Sequence, residues 1–154
     1  MRIMLDTNIF DALVADPSTL AKLLAAVAEG RMTILSTHIQ RDQLGRIPDD
    51  EKRAKVLAIP TEQIATSGAV WDVSRWGEAT WGDIATNQAL DWLISGNVRH
   101  APDALIGVTA AHHVDLLVTE DAKLRSRLSR SALGLKVCGY AELVALLQSS
   151  DAGR

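Results

Sequence analysis

Short apolar runs of strand length recur along this chain, each followed by a stretch with helical spacing. That alternation constrains the fold more than any other feature. Arg2–Leu5 is the first run and stops at Asp6, where Asp6-Thr7-Asn8 supplies turn and helix-cap chemistry. Asp16-Pro17 then offers an N-cap followed by a proline suited to a first helical turn. Leu20, Leu23, Leu24 and Val27 repeat at helical spacing until Gly30. Residues 32–35 read as a second strand, and Ser36-Thr37 can cap a helix through Ile39 to Leu44. Acids at Asp49, Asp50 and Glu51 precede bases at Lys52, Arg53 and Lys55, the order that the helix dipole favours. The segment 61–82 has no clear period; the reading gives it a strand near 70–73, with Gly77 and Gly82 in loops.

The last third continues the alternation. A helix is expected over Ile84–Ile94, ending before Gly96. Pro102-Asp103 opens another over 104–112, apolar nearly all round and therefore buried. Strands at 114–119 and 135–138 flank a helix at 121–128, and a final amphipathic helix covers 141–147. Strands separated by helices predict a three-layer α/β/α fold with a mainly parallel sheet. At 154 residues, with no internal repeat, one domain over 1–148 is expected, with a frayed tail at 149–154.

Composition removes several classes of function. Cys138 is the single cysteine, which excludes an internal disulfide framework and a cysteine-based zinc site and suits a reducing cytoplasm. No apolar run approaches the roughly 18 residues of a membrane span. A net charge of −3 argues against wrapping nucleic acid by bulk positive charge. It leaves room for a nuclease, whose catalytic centre is itself acidic. No Ser-His-Asp spacing, phosphate-binding glycine loop or His-Glu-x-x-His occurs.

Three acids are expected on one edge of the sheet, where parallel α/β folds bind ligands. Asp6 ends the first strand, and Asp121 lies just beyond the strand at 114–119. Asp103 opens the helix that must run back to begin that strand. Eleven helical residues descend roughly 16 Å, and six strand residues return roughly 20 Å, so Asp103 and Asp121 finish at similar height. Three carboxylates without matching cations repel, and each raises its neighbours' pKa unless a cation intervenes. A hard divalent ion prefers such oxygen donors, acidifies a bound water and neutralises charge on a phosphoryl oxygen. Taken singly, each acid serves equally well as a helix cap.

These residues resemble the PIN-domain ribonucleases. Ile3-Met4-Leu5-Asp6-Thr7-Asn8-Ile9-Phe10 is similar to the family's opening block. Asp103-Ala104-Leu105-Ile106, followed by Asp115-Leu116-Leu117-Val118-Thr119-Glu120-Asp121, is similar to its C-terminal signature. The resemblance runs from residue 2 to about 147, and at this size it is to VapC-like toxins of type II toxin–antitoxin systems. It implies about five parallel strands between helical layers, dependence on Mg²⁺ or Mn²⁺, and hydrolysis of RNA. Expected partners are RNA, an antitoxin protein and a second copy of the chain. The resemblance makes Asp6 and Asp103 direct metal ligands and has Asp121 hold a second metal or a metal-bound water. Asn8 and Thr119 would orient these carboxylates, although Asn8 serves equally as a cap.

One position departs from the family. A Glu-Leu pair is usual after the second strand, and here Gln43-Leu44 occupies it, preceded by Asp42. Gln43 offers a carbonyl oxygen but no charge and cannot take a proton. Asp42 points about 100° around the helix, so it replaces the missing acid only by a shift of register. The rival reading is therefore a catalytically weak module that binds RNA or a partner. A second rival is an unrelated phosphohydrolase on a doubly wound sheet; its haloacid-dehalogenase version is disfavoured because strand one ends Asp6-Thr7-Asn8, without the Asp-x-Asp.

The remaining candidates stay open between two readings. Lys123, Arg125, Arg127 and Arg130 are either a solvated helix face or contacts to RNA phosphates. Arg41, Arg46, Arg53 and Lys55 stand on the same terms. His112-His113 fall on the far edge from the acids, whereas His38 falls nearer them. Trp71, Trp76 and Trp81 recur every five residues, matching neither a helix face nor a strand. Core packing accounts for one or two, and the rest suit an exposed surface for self-association or an antitoxin helix.

Overall fold

The computed structural model describes residues 1–152 and has the α/β architecture that the alternation predicts. In chain order the elements begin with β1 (Arg2–Leu5), α1 (Thr7–Ala15), α2 (Pro17–Ala28), β2 (Thr33–Ser36), α3 (His38–Gly45) and α4 (Asp50–Leu57). Three short strands follow, β3 (Glu62–Gln63), β4 (Thr66–Ser67) and β5 (Ala79–Thr80), then α5 (Ile84–Ile94) and a 3₁₀ turn at Val98–His100. The chain closes with α6 (Ala101–His113), β6 (Leu116–Val118), α7 (Ala122–Arg130), β7 (Val137–Cys138) and α8 (Tyr140–Ala152).

Five strands form one parallel sheet in the order β3-β2-β1-β6-β7. The chain first adds strands on one side of β1 and then crosses to the other side, so the winding reverses between β1 and β6. Their register pairs Ile3 with Leu116 and Leu5 with Val118. Strands this short persist because both faces are covered, which is why their sequences are apolar without alternation. Ile3, Leu5, Ile34 and Val118 face a core built with α1, α2 and α8. Met4, Leu35 and Leu117 face the opposite core, built with α5, α6 and α7. Ile3, Met4 and Leu5 are all fully buried, and each such side chain contributes about 1.5–3 kcal/mol.

Local chemistry fixes the helix starts. Asp16 caps α2 by accepting from the Thr19 amide at 3.1 Å and the Thr19 hydroxyl at 2.7 Å. The Tyr140 hydroxyl donates to the same carboxylate at 3.1 Å and so ties the start of α8 to α2. Asp83 caps α5 through the Thr86 amide at 2.7 Å. On α6, Gly107 lies against Leu128 of α7, where a Cβ would meet a Leu128 methyl at 2.7 Å. A side chain at 107 would require Leu128, itself 1% exposed, to shift.

The structure corrects the reading of 61–82. There is no strand at 70–73; Val70 and Val73 lie in a turn, with the Val73 and Ser74 amides donating to the Val70 carbonyl at 3.2 and 2.9 Å. Their apolar character comes from packing against the α5–α6 side of the core. The strands lie elsewhere: β3 extends the main sheet, and β4 pairs with β5 as a separate two-stranded parallel ribbon. At the other end, α8 runs through 149–152, where a frayed tail was expected; residues 153 and 154 lie outside the described residues. Among the described residues no helix is long and apolar enough to cross a membrane.

Candidate active site

Asp6 and Thr119 are the first residues beyond two neighbouring strands, β1 and β6, at the carboxyl edge where the winding reverses. Such a reversal opens a crevice between helices that leave the sheet on opposite faces. The Asp6 amide donates to the Val118 carbonyl at 2.9 Å, so the sheet ladder itself sets the height of this carboxylate.

Asp6 is 6% exposed and caps α1. Its Oδ1 accepts from the Thr7 amide at 2.8 Å. Its Oδ2 accepts from the Asn8 amide group at 2.9 Å and from the Thr119 hydroxyl at 2.6 Å. Thr119 is fully buried, and its oxygen also accepts from the Asp121 amide at 3.1 Å. The Asn8 carbonyl oxygen accepts from the Glu120 amide at 3.2 Å. Asn8 and Thr119 thus link the start of α1 to the turn after β6 and hold the Asp6 carboxylate in one orientation. Asp6 caps α1, and Asn8, inside its first turn, is not the cap.

Asp121 caps α7, its Oδ1 accepting from the Lys123 and Leu124 amides at 2.8 and 3.0 Å. Asp103 lies in the first turn of α6, one-third exposed. Burial, then the carboxylates of Asp6 and Asp121, push Asp103 above the ordinary carboxylate value. Arg127, 3.9 Å away, and His100 pull the other way and do not outweigh them. Asp103 therefore lies within electrostatic range of both Asp6 and Asp121.

The other predicted residues divide sharply. Asp42 is held by Arg75 at 2.7 Å, in an ion pair separate from the three acids. Gln43 follows Gln40 by three residues on α3, so the two share a helix face. Gln40 is fully buried, accepts from the Thr37 amide at 2.7 Å and donates to the Leu5 carbonyl at 2.9 Å, next to Asp6. The Gln43 Oε1 is buried without a hydrogen-bond partner. A buried orphan carbonyl costs about 1–3 kcal/mol unless something supplies a positive partner. Lys123 is exposed, and Arg125 is half-buried near Gly139, whose Cβ position is 2.9 Å from its guanidinium. Arg127 is only 17% exposed and donates to the Leu93 carbonyl at 3.0 Å, so its first role is to bind α7 to the end of α5. His112 and His113 pair with Thr86 and Ser67 at 2.9 and 3.1 Å and serve packing.

Sequence reasoning missed Gln40, although Thr37-x-x-Gln40 is a capping-box pattern and was visible. It could not show that the same amide also reaches Leu5. It missed Arg127 beside Asp103 because nothing local relates α7 to α6.

Carboxylate oxygens are the donors that a hard divalent cation prefers, and Asp103 has its ionisation opposed by burial and by Asp6 and Asp121. Among the described residues no group of three or more His, Cys, Asp or Glu side chains is placed to hold a metal ion. Magnesium does not require such a group, because it keeps several waters and takes one or two carboxylates. Neither the known family models nor the curated proteins contain a match to this chain.

Proposed function

We propose that the chain is a metal-dependent endoribonuclease of PIN-like type that hydrolyses RNA phosphodiester bonds, using Mg²⁺ or Mn²⁺ held by Asp6, Asp103 and Asp121. One observation carries the reading: Asp103, at the winding reversal of a parallel sheet, is driven toward its neutral form by burial and then by the carboxylates of Asp6 and Asp121. An arrangement that costs stability without a cation is explained by one. When bound, the metal supplies a neutralising charge for a phosphoryl oxygen and an acidified water.

The chain's own residues do the positioning. Thr119 and Asn8 hold the Asp6 carboxylate, so no side-chain reorganisation accompanies charge development in the transition state. Asp121 spends one oxygen on the α7 amides, and Asp103 turns in from α6. Lys123 and Arg125 extend from α7 as candidate phosphate contacts. A toxin role, with an antitoxin protein and a second copy as partners, rests on the sequence resemblance. A short reading frame for an antitoxin-like protein directly upstream of the gene would support it.

A second reading has its own observation. The usual glutamate is Gln43, and Asp42 is committed to Arg75, so α3 brings no acid to compensate. A module that binds RNA without cutting it has this composition. Purified protein, incubated with structured RNAs in Mn²⁺ and separately in EDTA, separates the two. Metal-dependent fragments that vanish in Asp6→Asn support the nuclease; retention of intact RNA under both conditions supports the binding module.

A further inference from the structure

Aromatic side chains belong in a core, yet Trp71, Trp76 and Trp81 are 86%, 91% and 84% exposed. They line one concavity of about 220 Å³ formed by the segment between β4 and β5, together with Asp72, Ser74, Arg75 and Thr80. The loop is anchored rather than trailing. Val70 and Val73 are half-buried against the core, the Arg41 guanidinium meets Glu78 at 2.6 Å, and Arg75 meets Asp42 at 2.7 Å. The His38 Nε2–H donates to the Val73 carbonyl at 3.3 Å. His38 opens α3 directly after β2, so this bond fastens the loop to the strand edge that also carries Asp6.

We infer that this indole-walled concavity is a subsite for the unpaired bases of single-stranded RNA, a conclusion that rests on the nuclease reading above. Three properties select this occupant. The walls are flat π-faces around a recess, which accept inserted flat groups, and base stacking on aromatic side chains tolerates any sequence. The rim carries two charged residues, Asp72 and Arg75, and Arg75 faces Asp42 at 2.7 Å, so it offers a phosphate no unpaired cation. A chain of net charge −3 with an acidic edge gains little from phosphate contacts and must draw affinity from bases. The area also falls short for a second copy: three indoles present roughly 450–750 Å², below the ~800 Å² per partner of a stable interface. An RNA strand that leaves these bases and crosses α3 arrives at the carboxyl edge with its backbone exposed, so substrates are cut in unpaired segments.

The test uses the full chain in EDTA, where strands stay intact, and reads intrinsic tryptophan fluorescence and the anisotropy of a labelled strand. The probes are a single-stranded RNA of about ten nucleotides and the same sequence within a duplex. Saturable quenching by the single strand is expected, with much weaker binding of the duplex. Trp71→Ala and Trp76→Ala should each weaken binding about tenfold, with melting curves unchanged. Asp6→Asn, which removes cleavage, should quench like the wild type. Unchanged affinity in the Trp71→Ala/Trp76→Ala double variant, or no quenching by any strand, overturns the subsite. A sedimenting dimer that the double variant dissociates also overturns it and assigns the surface to a second copy. These outcomes are separate from the nuclease reading. Cleavage that ignores both indoles sinks only the subsite, while strands that bind through them and are never cut sink only the nuclease.

Discussion

The acidic edge and the tryptophan loop both stand out from an ordinary α/β surface, and they are built in opposite ways. At the edge the oxygens of Asp6 and Thr119 are each assigned partners: Asp6 takes three donors, and the Thr119 hydroxyl both donates and accepts. On the loop, the frame is anchored while the indoles project 84–91% exposed. A carboxylate that must meet a developing charge loses its value when displaced by a fraction of an ångström, so it needs a second layer of hydrogen bonds. A stacking face needs only to be presented. Substitutions of the hydrogen-bonded pair Asp6 and Thr119 should therefore damage both chemistry and stability, and substitutions of the indoles should damage binding alone.

The largest effect is expected at Asp6. Asp6→Asn should lower Mn²⁺-dependent cleavage by at least about 100-fold. It should also lower the melting temperature in EDTA, because an amide NH₂ at Oδ2 would face the Asn8 and Thr119 donors. Full stability with lost cleavage would show that the hydrogen bonds around Asp6 do not matter to the fold. Thr119→Val keeps the shape of a fully buried side chain and removes its hydroxyl. A cost of about 1–3 kcal/mol is expected, or roughly 2–4 °C per kcal/mol for a chain of this length, with a 10- to 100-fold fall in metal affinity. Trp76→Ala should return the reverse, with stability within about 0.5 kcal/mol of wild type. Equal losses of stability in the two variants would erase the contrast between the regions.

Asp103 gives a smaller and pH-dependent effect. Its folded pKa lies above its unfolded one, so the native state holds the proton more tightly. In EDTA, stability should fall as pH rises from the ordinary carboxylate value through the raised native value, and level off above it. Asp103→Asn should flatten that slope and melt higher than wild type at neutral pH, while losing the gain on adding Mn²⁺. Melting curves across pH, with and without metal, read all of these together. A variant that melts lower in EDTA would make Asp103 structural.

The two regions also differ in what their sequences disclose. Asp6, Asp121 and Asp103 could be placed because each sits at a strand end or helix start, where capping chemistry is local and the spacing of elements fixes height. The three layers followed from apolar strands buried on both faces. The segment 61–82 could not be read. Its strands are two residues long and exist through distant partners, Ser36 for the edge of β3 and Glu78 for Thr66. Val70 and Val73 look like part of a strand because a short apolar run carries no period. Gln40 was illegible in the same way, since its bond to the Leu5 carbonyl spans 35 residues.

Gln43 joins the two kinds of information, because the sequence marks it as a departure and the structure leaves its Oε1 buried without a partner. Gln43→Glu changes charge with almost no change in shape. Without metal, the new carboxylate is buried without a donor and adds to an edge that already repels, so the melting temperature in EDTA should fall. With Mn²⁺, an additional anionic oxygen should tighten binding, because affinity in oxygen sites rises with ligand charge. The signature is a lower starting point and a larger gain, and cleavage should rise with the gain. Asp42→Asn is the control for a shifted register. Asp42 is spent on Arg75 in a pair worth about 0–1 kcal/mol, so its loss should leave metal affinity unchanged. Calorimetric titration of Mn²⁺ into both variants decides the matter. Tighter binding in Gln43→Glu alone places position 43 at the metal. Weaker binding in Asp42→Asn would instead mean that Asp42 leaves Arg75 to serve the cation, and the acidic edge would extend further onto α3.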